Sequence, residues 1–247
     1  MYHRGKIPFA PYIIVSTYKE EKDKRMEREV RIEDLQKLYS SNDMVKADCG
    51  GCVGCSACCR DMGNSIVLDP LDVFRLEMNL HLTFQELLAD KVGLNVVDGF
   101  ILPNLKMAGE NEACAFLNLE GRCSIHAFRP GLCRLFPLGR YYEGDSFRYY
   151  LQSRECPRPN KTKIKVKKWI DSPDLKTYEK FVVRWHGFLK NVQRHLRETE
   201  DENLKKDMNL YVLNTFYTKP YDETADFYGQ FYGRLEGAEK LVETIAW

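Results

Sequence analysis

Apolar residues recur at helical spacing through the last third of the chain. Leu175, Tyr178, Phe181, Val182, Trp185, Leu189, Val192 and Leu196 fall on one face of a helix that Ser172-Pro173-Asp174 opens. Thr199 and Glu202 stand at capping-box spacing and predict a second helix through Met208, Tyr211 and Val212. After "TKPYDE" a last amphipathic helix carries Phe227, Phe231, Leu235, Leu241 and Ile245. Phe227, Tyr228, Phe231 and Tyr232 share one broad face, which predicts core packing. The functional alternative is that some of these rings line a cleft beside a bound group.

The pattern upstream is shorter and more varied. In "RIEDLQKLYSS", Ile32, Leu35, Leu38 and Tyr39 predict a helical stripe. "LDPLDVFRLEMNL" predicts a helix with Asp69 as cap and Pro70 in its first turn. "TFQELLADKVG" predicts another, with a Thr83–Glu86 capping box and Gly93 as its stop. "FPLGRYYEGDSFRYYLQ" predicts a hairpin around Gly144, Asp145 and Ser146. "KTKIKVKK" alternates as an edge strand or extended link, and its lysines lack interleaved aromatics, as on a solvated face. No internal repeat is visible. These elements predict a mainly α, α+β fold with one small hairpin and a loop-rich core. The expected sections are a front (1–48), a cysteine-rich middle (49–157) and a helical tail (158–247) that packs on it.

Composition narrows the function classes. The 247 residues carry 37 Lys and Arg against 36 Asp and Glu, so no charge footprint points to nucleic acid or to an anionic membrane. The apolar run near the start is broken by Pro8 and Pro11, too short for a spanning helix and unlike a signal peptide. The expectation is a cytoplasmic protein that binds neither nucleic acid nor membrane. In a reducing compartment the nine cysteines then point to metal or redox chemistry rather than to disulfides.

Five of those nine fall between Cys49 and Cys59, in "CGGCVGCSACC". The glycines Gly50, Gly51 and Gly54 predict tight loop there. Two residues between cysteines let the chain turn and aim both sulfurs at one point. The overlapping Cys52-x-x-Cys55-x-x-Cys58 resembles the start of a bacterial ferredoxin run more than a zinc finger. Thiolates suit zinc and iron alike. The adjacent Cys58 and Cys59 would diverge on an extended chain and face different centres, unless one of them is idle. With Cys114, Cys123, Cys133 and Cys156 the count leaves room for two centres, or for one four-iron cluster with spare cysteines. His126 is close enough in sequence to ligate, but is expected to be a surface or packing residue; His186 and His195 are expected to be structural or exposed.

"CVGCSACCR", "CAFLNLEGRCSIHAFRPGLCRLFPL" and the final Cys156-Pro157 resemble the cysteine-cluster family of zinc- or iron-chelating proteins, over about residues 49 to 157. The resemblance implies a ligand set of Cys52, Cys55, Cys58, Cys59, Cys114, Cys123, Cys133 and Cys156, with Cys49 outside it. It implies an iron–sulfur cluster, 4Fe-4S before zinc, in a structural and also redox role with an unidentified protein or redox partner. Structural zinc is the alternative. One branch is similar to flagellin lysine N-methylases, which would make the chain an S-adenosylmethionine-dependent protein methyltransferase. Against that, no glycine-rich strand-loop-helix for adenosylmethionine is visible, so no catalytic residue is assigned. Around Cys133, Pro130 and Pro137 are expected to fix the backbone, and Arg129 to donate charge-assisted hydrogen bonds near the thiolates.

Overall fold

A computed structural model describes residues 31–50, 52, 55–109 and 112–245. The expectation drawn from the apolar run before residue 30 lies outside the described residues, as do Gly51 and Gly54. A short 3-10 turn, Ile32–Gln36, leads to strands β1 (Leu38–Tyr39) and β2 (Met44–Asp48). The helical stripe expected over Ile32–Tyr39 thus ends early. Leu38 and Tyr39 pair instead with Tyr150 and Tyr149, and this pairing buries the Tyr39 ring, so tertiary contact overrides the local pattern.

Two capped helices follow as expected. In α1 (Pro70–Leu80) Asp69 accepts from the Asp72 backbone and the Asp72 carboxylate returns to the Asp69 N–H. In α2 (Phe84–Asp90) Thr83 and Glu86 do the same. Gly93 is not the stop of α2: the helix ends at Asp90, and Gly93 lies within strand β3 (Val92–Val97). β3 turns through Asp98 and Gly99, both at positive φ, and pairs along its length with β4 (Phe100–Leu105). This second hairpin went unpredicted. A short ladder, β5 (Met107–Ala108) with β6 (Ala113–Cys114), comes next.

Helix α3 (Gly131–Leu135) precedes the expected hairpin, β7 (Leu138–Glu143) with β8 (Ser146–Leu151). The lysine-rich stretch divides: β9 (Thr162–Lys165) pairs antiparallel with β2, and α4 (Val166–Ile170) follows at once. The tail forms α5 (Leu175–Glu198), α6 (Glu202–Leu213) and α7 (Phe227–Thr244). α5 opens at Ser172-Pro173-Asp174 as expected, with Asp174 as its cap, but Asp201, not Thr199, caps α6 through the Asn203 and Leu204 N–H groups. The buried stripe of α7 is Phe227, Phe231, Leu235, Ala238 and Val242, with Leu241 and Ile245 only half-buried.

The fold is α+β, with four small antiparallel sheets among the described residues where one hairpin was expected. A main core runs from Met62 through α1, α2 and the β3–β4 hairpin into α5, α6 and α7. Phe231 is fully buried there, its ring 4.6 Å from that of Phe181 and 5.8 Å from that of Phe216. The aromatic face of the tail is therefore core. A smaller core gathers Tyr39, Val45, Leu135, Leu138, Tyr149, Val166 and Ile170. Among the described residues no helix is long and apolar enough to cross a membrane.

Candidate metal centre

Several local devices deliver the cysteines. Strand β2, held by β9, ends at Asp48 and releases Cys49 and Cys52 into a loop where Gly50 and Cys52 both take positive φ. Cys55 follows, its N–H donating to the Cys52 carbonyl at 3.1 Å. Cys58 and Cys59 lie in a 3-10 turn, Ala57–Cys59, so the chain there is not extended. Their side chains hydrogen-bond to one another instead of diverging. Arg60 then bridges Ala113, which sets Cys59 beside Cys114 on β6. Cys123 bridges Leu117 across a turn that the Asn118 side chain closes by accepting from the Arg122 N–H at 2.7 Å.

Cys133 sits in α3, which Pro130 opens and the cis Phe136–Pro137 bond follows, so both prolines bracket it as expected. The buried Asp72 carboxylate accepts from the Gly131 N–H at 2.8 Å and ties α3 to α1. Buried Arg134 donates to the carbonyls of Ala127, Arg129 and Asp171, fixing the loop before α3 against the chain after α4. Cys156 follows β8, and its carbonyl accepts from Lys161 Nζ at 2.7 Å.

These devices converge. A cavity of about 360 Å³ has all nine cysteines on its wall. Met62, Ile66 and Leu105 close it on the side of the main core, and Ile164 and Trp169 on the other. Among the described residues none beyond Asp171 reaches it, so the rings of α5, α6 and α7 do not line this cavity.

The crowding has an electrostatic signature. Burial first, then Cys49, Cys58 and Cys55, push the Cys52 thiol up to about 12. The hydrogen bond with Cys58, then burial, then Cys58, Cys123 and Cys133, raise Cys59. Burial and the neighbouring Cys114, Asp72, Cys123 and Cys58 raise Cys133. Burial also raises Cys114 and Cys123. Each thiolate would be desolvated beside others like it, a cost that a bound cation reverses. The donor chemistry fits a thiophilic metal such as zinc or iron. Among the described residues, no three His, Cys, Asp or Glu side chains already close on one point.

The basic residues of the wall are Arg122, Arg129, Arg134, Arg158 and Lys168. Sequence reasoning singled out only Arg129. Its hydrogen bonds go to His126, with Nη1 at 2.9 and 2.8 Å from the ring nitrogens and 3.1 Å from the carbonyl, while its charge acts on Cys123. Guanidinium only donates, so the imidazole must accept, and the lone pair a metal would need is engaged. Burial and the charge of Arg129 lower the His126 pKa, in keeping with a neutral ring. Arg122 Nη1 donates to the Cys52 carbonyl at 3.0 Å and pins the cysteine loop. Its signal in the sequence was adjacency to Cys123; Asp72 was legible only as a first-turn residue of the helix that Asp69 caps.

A family model, CxxCxxCC, described as "Putative zinc- or iron-chelating domain", matches residues 51–164. Residues 51–164 thus form a CxxCxxCC domain, a little under half of the chain. The CxxCxxCC segment takes in eight of the nine cysteines and leaves Cys49 just outside. It also takes in Arg122, Arg129, Arg134 and all but the last residue of strand β9, which supports β2. No curated protein and no solved structure matches the chain.

Proposed function

We propose that the chain is a cytoplasmic metal protein in which Cys52, Cys55, Cys58, Cys59, Cys114, Cys123, Cys133 and Cys156 hold an iron–sulfur cluster, with a second metal beside it. The observation that carries this reading is the convergence of thiols from five separate stretches of chain on one cavity. Bound metal would neutralise the crowded thiolates and join loops that have little core of their own. An iron–sulfur cluster would add one-electron chemistry, and a redox partner would approach at the cavity mouth.

The chain's own residues supply the surroundings. Arg122 and Arg129 favour the thiolate form of Cys123, while burial disfavours it. Trp169 Nε1 donates to the Phe136 carbonyl at 3.1 Å and holds α4 against the segment that follows Cys133. Arg134 and Asp72 fix α3 from both sides. The protein purified without oxygen decides the metal. Iron and acid-labile sulfide with a paramagnetic resonance signal after reduction support the cluster. Zinc alone assigns the same ligands to structural zinc, and neither metal overturns the proposal.

A further inference from the structure

We infer that Cys49 is a ninth thiolate ligand, sharing one metal with Cys52 in a four-sulfur set that Cys55 and Cys156 complete. This rests on the metal-binding reading above and adds to it a ligand outside the matched domain.

The Cys49 and Cys52 sulfurs stand 3.5 Å apart. Two thiolates on one tetrahedral ion at about 2.3 Å lie about 3.8 Å from each other, whereas a disulfide holds them at about 2.05 Å. The two thiols are in hydrogen-bond contact, well beyond disulfide distance and a small outward movement short of the spacing of ligands on a common ion. The approach is also built. Asp48 Oδ1 accepts from the Gly50 N–H at 3.0 Å, and Gly50 at φ +72° and Cys52 at φ +59° both take the left-handed conformation of turns. For a residue other than glycine the conformation of Cys52 is uncommon. The Arg122 guanidinium holds it there through the Cys52 carbonyl.

Strand pairing selects the remaining partners. Asp48, at the end of β2, pairs with Thr162 at the start of β9. The chain entering β9 therefore arrives at the same end of the ribbon from which Cys49 leaves. That incoming stretch carries Cys156, folded back by Lys161 and facing the same cavity. Cys55 is bonded to Cys52 through the backbone. The other sulfurs gather by a second route: Cys58 and Cys59 share one turn, Cys59 sits beside Cys114 across the Arg60–Ala113 bridge, and Cys123 is placed by its bridge to Leu117; Cys58 also faces Cys52 and stands between the two groups. With Cys133 they form a second set. Two sets of about four thiolates match the usual requirement of two centres. No three donors among the described residues already converge, so this assignment requires Cys55 and Cys156 to move towards the Cys49–Cys52 pair on binding.

Zinc and iron contents of the full chain, purified without oxygen, test this in wild type, Cys49→Ser, Cys52→Ser and the double variant. The expected result is that Cys49→Ser loses the metal of one centre, as Cys52→Ser does, and that the double variant loses no more. Wild-type metal content in Cys49→Ser overturns the inference. A wild-type protein without zinc or iron overturns the metal-binding reading and this inference with it. Should Cys49→Ser fail to fold, iodoacetamide labelling of the metal-loaded wild type answers the same question by peptide mass spectrometry. Cys49 is expected to be as protected as Cys52, and rapid labelling of Cys49 beside a protected Cys52 overturns the assignment.

Discussion

Single atoms decide how α3 presents Cys133. A Cβ on Gly131 would stand 1.9 Å from the Tyr178 hydroxyl oxygen and 3.0 Å from the ring carbon that bears it. That hydroxyl donates to Asp69 at 3.4 Å and accepts from Arg140 at 3.1 Å, so it is not free to swing away. Gly131→Ala should cost about 1–3 kcal/mol by overpacking. Tyr178→Phe in the same chain should recover part of the loss, because the closest atom is gone. Urea denaturation of the four proteins measures the coupling; strict additivity would show that the two side chains do not meet. Removal of one sulfur acts differently. Cys55→Ser or Cys133→Ser should lower metal content and solubility together, because ligand loss is also folding loss. Unchanged metal content in both would count against the ligand set.

A third residue has a pH signature. Burial first, then Lys190, press the His186 pKa down to about 4, and its ring stacks on Tyr142 at 3.7 Å. The unfolded chain binds a proton near pH 6.5 that the folded one refuses until about 4. This contribution to stability is thus complete above pH 6.5 and is lost as pH falls from 6.5 towards 4. Relative to His186→Phe, which keeps a stacking ring, the wild type should lose on the order of 2 kcal/mol across that window. Parallel stability curves for the two proteins would show that His186 titrates normally.

At the scale of elements, caps explain what could be read in advance. Asp69, Thr83 and Asp174 mark helix starts by chemistry local to a few residues, and the structure has all three. The start of α6 offered two local solutions, and the carboxylate of Asp201 takes two backbone N–H groups while Thr199 only accepts from Asp201. Asp201→Ala should therefore cost about 1 kcal/mol, and Thr199→Ala a few tenths, in thermal unfolding; the reverse order would return the cap to Thr199. The Gly144 hairpin was legible, and Asp98-Gly99 carried an equally strong turn signal that the helical reading of the segment before it obscured. Strands β1, β5 and β6 have two residues each and exist only through their partners, so no local pattern announces them. The same division holds at the centre. Nine sulfurs were visible from spacing alone, whereas the roles of Asp72, Arg122 and Arg134 depend on contacts 37 to 70 residues away in sequence.

Across the whole molecule, the tail core and the cysteine cavity are separable. Phe231 packs on Phe181, Trp185 and Phe216, and α7 covers the main core, so deleting residues 222–247 should make the chain aggregate. Phe231→Ala is the milder probe, expected to cost about 3–5 kcal/mol. Its metal content per folded chain should nonetheless match wild type, since no described residue of α5, α6 or α7 lines the cavity. Chelation reverses the experiment. The loops that carry the cysteines are held by turns, bridges and a few side-chain bonds, whereas α5 and α7 are fixed by buried rings. Hydrogen exchange after metal removal should therefore quicken over residues 49–60, 112–136 and 152–161, where each local opening has lost its cross-link. Amides in α5 and α7 should stay protected, because local stability follows the apolar contacts that remain. Equal loss of protection in both regions would mean that the metal supports the entire fold, and that the tail cannot stand without it.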